Sequence, residues 1–281
     1  MTKYTNRLIC FLDVLGFKAL MQEKGIDAIY ELYVSFIDET KNKTFYGTEG
    51  DNTGRTNFKI SEIVSDSMLF ISHEINDIYN INNFIGAISH IMELGLIHNF
   101  PLRGAISFGD IIYDIQRKIF LSNEYNQITE YEPKMEMPQC VIFDEAKEVI
   151  LEGIFGRKVL LKGINPKGNL PIIKYSIPLK EKKVDYKWCI NYTFFLTRKQ
   201  IQTASNYLIS PKKEHFIKYI NFVNKIPYEL QVVDKEFSPA KYMKTMTTRS
   251  GMRMVFLDEN MNGCVPNIKE FTWIAVGRWK E

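Results

Sequence analysis

Short apolar runs alternate with amphipathic stretches through the first part of the chain, in an order that few folds can accommodate. The run LICFLDV at residues 8–14 is apolar except for Asp13, which suits a strand buried on both faces. The predicted elements that follow are two helical pieces over 17–39 broken at Gly25, a hairpin over 58–72, a helix over 77–99 and a strand over 102–112. This order of strand, helix, hairpin, helix and strand predicts an α+β fold, a ferredoxin-like palm.

Beyond residue 115 the periodic signal is weaker, although helical and extended patterns continue. The candidate elements are a helix at 122–132, a strand at 139–143, a helix at 144–152, strands at 158–161, 170–177 and 188–195, and a helix at 205–223. Residues 41–57 are rich in Gly, Thr, Asn and charge and predict a loop. We expect a palm domain over residues 1–145 and a C-terminal α/β extension over 146–281 that packs on the palm rather than folding independently.

Charge and composition exclude several classes of protein. The 281 residues carry a formal charge of +3 with no basic run or stripe, so nothing indicates binding to nucleic acid or a membrane surface. No uncharged apolar stretch reaches the roughly 18 residues of a membrane span. The four cysteines are widely separated, which predicts reduced thiols rather than a zinc site. These features favour a cytoplasmic protein that folds around a sizeable core.

Two acidic residues interrupt otherwise apolar strand segments. Asp13 lies near the end of the first predicted strand, and Asp66 lies in Ser65-Asp66-Ser67 at the hairpin tip. In a split βαβ sheet the first strand runs antiparallel beside the second half of the hairpin, so we expect Asp13 and Asp66 to be close neighbours. The alternative is that Asp13 is an ordinary helix N-cap and that Asp66 belongs to an ordinary turn.

Neighbouring carboxylates repel each other unless a cation lies between them, and oxygen ligands favour Mg²⁺ or Mn²⁺. The predicted helix after Asp13 begins at residues 15–18 (LGFK), where backbone N–H groups and the positive end of the helix dipole could hold a polyphosphate. Gly16 would let the backbone approach such a ligand closely. Together these parts predict a two-metal phosphoryl-transfer site.

Three motifs then suggest a family. Residues 11–17 (FLDVLGF), 65–67 (SDS) and 102–106 (LRGAI) followed by Gly109 resemble, in that order and spacing, the class III nucleotide cyclase homology domain. The variant resembles the pyrimidine cyclases of the Pycsar antiphage defence system. The resemblance covers about residues 7–145, roughly half of the chain.

The resemblance implies a metal-dependent cyclase that works as a homodimer, with the nucleotide at the subunit interface. Asp13 and Asp66, with Val14 beside them, would hold two Mg²⁺ or Mn²⁺ ions, one activating the ribose 3′-hydroxyl and the other binding the triphosphate. Arg103 is a candidate contact to nucleotide or phosphate, and a structural ion pair to a nearby acid is its alternative. The expected nucleotide-binding residues are Val14, Leu15, Gly16, Phe17, Glu62 and Arg103.

The sequence departs from the family pattern at two places. Purine cyclases of this class carry a base-reading Lys four residues before the second metal-binding Asp, where this chain has Glu62. A carboxylate accepts hydrogen bonds rather than donating them, which argues against an ordinary adenylate cyclase. The family's Asn-x-x-x-Arg, whose Arg stabilises the transition state, has no match, because Asn126 is followed four residues later by Glu130.

The expected activity is conversion of UTP to 3′,5′-cyclic UMP and pyrophosphate, the product being a second messenger that activates a separate effector in antiviral defence. The choice of UTP over CTP rests on the resemblance alone, since Glu62 could accept from either base. One rival is an inactive palm that binds nucleotide as a sensor or scaffold. Another is a dinucleotide cyclase, which the absence of a Gly-Gly-acid hairpin disfavours.

Overall fold

The structure, a computed structural model, describes residues 1–45, 56–75, 78–117, 119–155, 172–196, 198–208, 212–225, 243–248, 251–257 and 263–264. The strands of its main sheet are β1 (Thr2–Val14), β2 (Ile60–Val64), β3 (Ser67–Ile71), β4 (Leu102–Asp114), β5 (Ile119–Leu121), β6 (Cys140–Ile142), β7 (Ile172–Leu179) and β8 (Lys183–Ile190). A second sheet contains β9 (Met243–Thr248), β10 (Gly251–Leu257) and β11 (Gly263–Cys264).

Seven α-helices lie in the described part of the chain. They are α1 (Phe17–Lys24), α2 (Ile26–Thr40), α3 (Ile78–Ile97), α4 (Asn123–Tyr131), α5 (Asp144–Phe155), α6 (Arg198–Tyr207) and α7 (Lys212–Lys225). Among these described helices, none has both the length and the apolar composition that crossing a membrane requires.

The sheet order confirms the predicted α+β palm. The main sheet runs β2-β3-β1-β4-β6-β8-β7, and β5 pairs with β4. Its first four strands have the ferredoxin-like arrangement, with β1 antiparallel to both β3 and β4. β6 then joins β4 in parallel, and β8 and β7 extend the same sheet antiparallel. The sheet therefore continues without interruption past residue 145, into the C-terminal extension.

The two faces of β1 differ in burial, and this difference positions the polar residues. Leu8, Cys10, Leu12 and Val14 are buried, whereas Phe11 and Asp13 are only partly covered. Because side chains alternate along a strand, Asp13 shares the less covered face with Phe11. The ring of Phe11 contacts Tyr125 of α4 edge to face, with centroids 5.6 Å apart. From Leu8 onward, one face of the strand is thus buried. The other face, on which Arg7 and Ile9 are also buried, becomes partly exposed toward its C-terminal end, where Asp13 lies.

Three expectations about local structure need correction, and a fourth falls outside the described residues. The strand expected at 188–195 ends at Ile190, and Tyr192–Phe195 forms a 3₁₀ turn, because Tyr192 is buried and its hydroxyl donates to the Pro138 carbonyl. The helix expected at 205–223 is two helices, α6 and α7, with Pro211, a residue that interrupts helices, before the second. Residues 41–45 form a π turn after α2 rather than a loop, and the strand expected at 158–161 lies outside the described residues.

Three cysteines lie together in the core of the sheet. Cys10, Cys140 and Cys189 are buried free thiols, with the Sγ atoms of Cys10 and Cys140 4.0 Å apart. Burial raises the pKa of Cys10 and of Cys189 well above the ordinary value. The Cys10 and Cys189 thiols therefore stay protonated at neutral pH, and all three cysteines act as small core residues.

Candidate active site

The ends of three adjacent strands bring the predicted acidic residue and the predicted arginine together. In the register of the sheet, Asp13 on β1 lies opposite Ser67 on β3 and opposite Arg103 on β4. The hydroxyl of Ser67 donates to Asp13 Oδ1 at 2.9 Å. Residues that are far apart in sequence therefore meet where these strands end or begin, because the split βαβ topology aligns the strands.

The hairpin turn places Asp66 next to the end of β1. The Val14 N–H donates to the Asp66 carbonyl oxygen at 3.1 Å. Ser65, at the start of this turn, has a positive φ of 54°. The two acidic residues singled out from the sequence thus lie beside each other, and each is partly exposed.

Electrostatics at Asp13 reflect this crowding. Burial raises the pKa of the Asp13 carboxyl, and the charge of Asp66 raises it further. The Ser67 hydrogen bond and the positive charge of Arg103 act in the opposite direction. The net effect of burial and the neighbouring negative charge is a raised pKa. A cation bound between the two carboxylates would offset both the lost hydration of Asp13 and its repulsion by Asp66.

Tyr33 of α2 is a neighbour of both acids that sequence patterns did not single out. Its hydroxyl donates to the Ser65 carbonyl at 2.7 Å, and its ring lies 5.3 Å from that of Phe17. Burial raises the pKa of Tyr33, and the charges of Asp66 and Asp13 raise it further. In the sequence Tyr33 counted only as one apolar position of a helical face, so no local signal distinguished it.

The start of α1 is the predicted phosphate-binding element. Gly16 precedes the helix in a left-handed conformation, φ 85° and ψ 18°, which a glycine adopts without strain. No side chain in the described residues caps this helix, so the N–H groups of its first turn lack that partner. The Leu15 N–H donates to the Pro101 carbonyl at 2.8 Å. The Leu15 N–H therefore already has a backbone partner, and the amides that this turn could offer to phosphate are those from Gly16 onward.

Arg103 is held by the segment after α4. Its guanidinium forms an ion pair with Glu132 and donates from Nη1 to the Met135 carbonyl at 3.0 Å. Only 15% of the Arg103 side chain and 5% of the Glu132 side chain are exposed. Burial raises the pKa of Glu132 to about 7 against the opposing charge of Arg103. The structure thus contains the ion pair that was the alternative reading of Arg103, and it also places this cation beside Asp13.

Lys212 of the C-terminal extension lies near the end of β1, beside Gly16. The Nζ atom of Lys212, the first residue of α7, would lie 3.9 Å from a Cβ atom built on Gly16. Burial lowers the pKa of Lys212, and repulsion from Arg103 and Lys180 lowers it further. In the sequence Lys212 belongs to a mixed charge run typical of a solvated surface, so its position depended on the fold of the extension.

Glu62 lies on the sheet face that carries Asp13. It pairs in register with Leu69, which in turn pairs with Phe11, two residues before Asp13. Its carboxylate accepts a hydrogen bond from the hydroxyl of Tyr113. The Tyr113 ring is buried and stacks on Phe120, with centroids 4.6 Å apart. Glu62 is therefore oriented by a rigid aromatic neighbour.

The donor set suits a hard divalent cation completed by substrate. Among the described residues, no group of three or more His, Cys, Asp or Glu side chains forms a self-sufficient metal site. Mg²⁺ is commonly held by one or two carboxylates together with substrate phosphates, which is the set that Asp13 and Asp66 provide. The residues thus fit a divalent cation whose remaining ligands come from phosphate oxygens.

The Asn-x-x-x-Arg pattern that the sequence lacks has no counterpart on α4 either. Asn126 and Glu130 are both exposed on this helix. Among the described residues, the charge of Arg103 acts on Asp13, and the ammonium group of Lys212 lies near Gly16.

Comparisons with known proteins give similarity at the level of three-dimensional structure. No protein-family model matches the sequence, and no curated protein matches it either. One similar solved structure is the catalytic core of a rhodopsin-guanylyl cyclase with converted specificity in complex with ATPαS, with 12% identity and a TM-score of 0.43 over 67% of this chain and 96% of that one. Another is a bacterial light-regulated adenylyl cyclase, with 11% identity and a TM-score of 0.40 over 80% of this chain and 60% of that one.

Proposed function

We propose that the protein is a metal-dependent nucleotide cyclase, with a pyrimidine nucleoside triphosphate as its substrate. The observation that supports this most is the juxtaposition of Asp13 and Asp66 beside the uncapped start of α1 at Gly16. Carboxylates that can hold divalent cations thus adjoin backbone N–H groups that can hold phosphate. A cap at Asp13 together with an unrelated turn at Asp66 would not require this juxtaposition.

The chemistry follows from these groups. Two divalent cations held by Asp13 and Asp66 would make the ribose 3′-hydroxyl more acidic and neutralise charge on the triphosphate. The 3′-oxygen forms a bond to the α-phosphorus while the bond from that phosphorus to the bridging oxygen breaks. The electron pair leaves with pyrophosphate, and the hydroxyl proton passes to solvent. The first turn of α1 holds the triphosphate so that the 3′-oxygen and the leaving oxygen are in line.

The decisive assay incubates the purified protein with each of the four nucleoside triphosphates and Mn²⁺ and identifies the products by mass spectrometry. We expect 3′,5′-cyclic UMP from UTP, with CTP as the second substrate. Binding of nucleotide without any cyclic product would support the rival reading, an inactive palm that acts as a sensor or scaffold. A linear or cyclic dinucleotide product would instead favour the other enzymatic rival.

Base selection is assigned to Glu62. Its carboxylate can accept from the N3–H of uracil or the N4 amino group of cytosine. We expect Glu62→Gln to reduce the preference for pyrimidine triphosphates by about tenfold or more, because the amide oxygen is a weaker acceptor than the carboxylate and the amide NH₂ can donate to acceptor atoms of other bases. The preference is measured as kcat/KM for each of the four triphosphates.

The matched control for Glu62 is Tyr113→Phe, which removes the hydroxyl that donates to this carboxylate. This variant keeps the carboxylate and should shift the preference less than Glu62→Gln does. An unchanged preference in Glu62→Gln would place base recognition elsewhere in the molecule.

We further propose a homodimer and a signalling role, both of which rest on the motif resemblance. The dimer predicts a mass of two chains by light scattering of the purified protein. The signalling role predicts that cells that express the protein together with its effector resist phage, and that Asp66→Ala removes this resistance. Survival of infected cells that express the Asp66→Ala protein would separate the cyclase activity from defence.

A further inference from the structure

Helix α7 is fixed by contacts on both sides of its first two turns. Phe216 and Tyr219 are fully buried, and the Tyr219 ring lies 5.2 Å from that of Tyr175 on β7. The Tyr219 hydroxyl donates to Asn191 Oδ1 at 3.3 Å. His215 Nε2 lies 3.7 Å from Glu136 Oε2, in the segment whose residues also hold Arg103. The position of Lys212 is therefore set by the core of the extension.

Lys212 faces the turn that begins α1. Its Nζ atom is 3.9 Å from the position of a Cβ on Gly16, so the ammonium group lies over the glycine of FLDVLGF. The side chain is partly buried, and among the described residues no carboxylate lies within ion-pair distance of it. A partly desolvated ammonium in this position gains most from an anion bound at the helix start.

The charge around Lys212 supports the same ligand. Burial lowers the pKa of its ammonium, and repulsion from Arg103 and Lys180 lowers it further, with Glu136 opposing. Arg103 is paired with Glu132, which leaves the ammonium group of Lys212 at the positive end of the α1 dipole, with Lys180 near enough to repel it. Like charges gathered in this way are stabilised by a polyanion that lies between them.

We propose that Lys212 is a phosphate ligand that the C-terminal extension supplies to the triphosphate bound at the start of α1. This inference rests on the proposed function, because it adds a contact to the same substrate. Lys212 would supply a positive charge to the leaving pyrophosphate. This chain has Glu130 where the Asn-x-x-x-Arg pattern of class III cyclases has its arginine. The proposed contact also gives the extension a part in the site, since Lys212 reaches Gly16 only when α7 is packed in place.

The test measures binding rather than turnover. The full-length protein is titrated with 3′-deoxyuridine triphosphate, which lacks the reacting hydroxyl, in the presence of Mn²⁺, and separately with inorganic tripolyphosphate. We expect Lys212→Gln to weaken both ligands by about tenfold to 100-fold, as for loss of a charged hydrogen bond. Lys213→Gln, the same change at the next position of α7, should leave both affinities near those of the wild type. Lys212→Arg should recover most of the affinity.

The outcomes separate this inference from the proposed function. If the wild type binds the nucleotide and Lys212→Gln binds it equally well, the assignment of Lys212 is wrong while the cyclase proposal stands. If the wild type binds neither ligand, both are wrong. Unchanged thermal unfolding of Lys212→Gln, followed by circular dichroism, establishes that a loss of affinity is not a loss of fold.

Discussion

Asp13→Asn and Asp66→Asn are each expected to lower cyclase activity by at least about 100-fold, the scale on which loss of a transition-state charge contact acts. Each variant leaves a single carboxylate where the reaction needs two. The amide at position 13 can still accept the hydrogen bond from Ser67, so the strand end keeps its local contacts. Removing one of two repelling carboxylates should leave the free energy of unfolding unchanged or slightly higher.

Activity is measured as cyclic nucleotide formed at saturating Mn²⁺, and stability as urea unfolding monitored by circular dichroism. Asp38→Asn, on the exposed face of α2, is the matched control and should behave as the wild type does. Near-normal activity in either active-site variant would show that the two carboxylates do not act together on the substrate.

Gly104→Ala is expected to cost about 3 kcal/mol or more of folding free energy, or to prevent folding altogether. A Cβ atom at this position would lie 1.9 Å from the Phe11 carbonyl oxygen of the neighbouring strand. β4 cannot shift to relieve the clash, because the Gly104 N–H is also hydrogen-bonded to the Gln139 carbonyl on its other side, at 2.9 Å. The glycine of the LRGAI motif is therefore required by the packing of three backbones.

Gly109→Ala on the same strand is the control. The added Cβ there would meet the side chain of Glu124, at 2.2 Å from Oε1, and this flexible carboxylate can rotate away. We expect Gly109→Ala to lose less than half the stability that Gly104→Ala loses in urea unfolding. Equal urea midpoints for Gly104→Ala and the wild type would contradict the strand packing described above.

The palm could be predicted because its signals are local. The apolar run of β1, the break at Gly25 between α1 and α2, and the turn at 65–66 each follow from nearby residues. The topology then brings Asp13 to Asp66 through the pairing of β1 with β3, which is fixed once the order of elements is known. The neighbouring carboxylates thus follow from short-range patterns and one topological rule.

The surroundings of these carboxylates could not be predicted in the same way. Glu132 binds Arg103 from a turn after α4, and Lys212 approaches Gly16 from the first turn of α7 in the C-terminal extension. Neither contact leaves a periodic pattern, since each depends on how separate elements pack. The same cause explains the misassigned strand at 192–195, where burial of Tyr192 against the Pro138 carbonyl turns an apolar run into a 3₁₀ turn.

Arg103 has two roles that the geometry permits together. It neutralises the buried Glu132, and its charge also acts on Asp13. Removing Arg103 would leave a buried carboxylate without its partner, so a loss of activity in Arg103→Ala would mix a fold defect with a site defect. Arg103→Lys, which keeps the charge, is the more informative variant for separating the two.

The central claim is that Asp13 and Asp66 hold divalent cations for a nucleoside triphosphate, and a crystal structure with Mn²⁺ and 3′-deoxyuridine triphosphate tests it directly. Anomalous scattering locates manganese independently of the coordinates of the chain. The account predicts two manganese peaks coordinated by both carboxylates, with the triphosphate at the start of α1 beside Gly16. Nucleotide bound away from these residues, or manganese absent from both carboxylates while the nucleotide is bound, would contradict it.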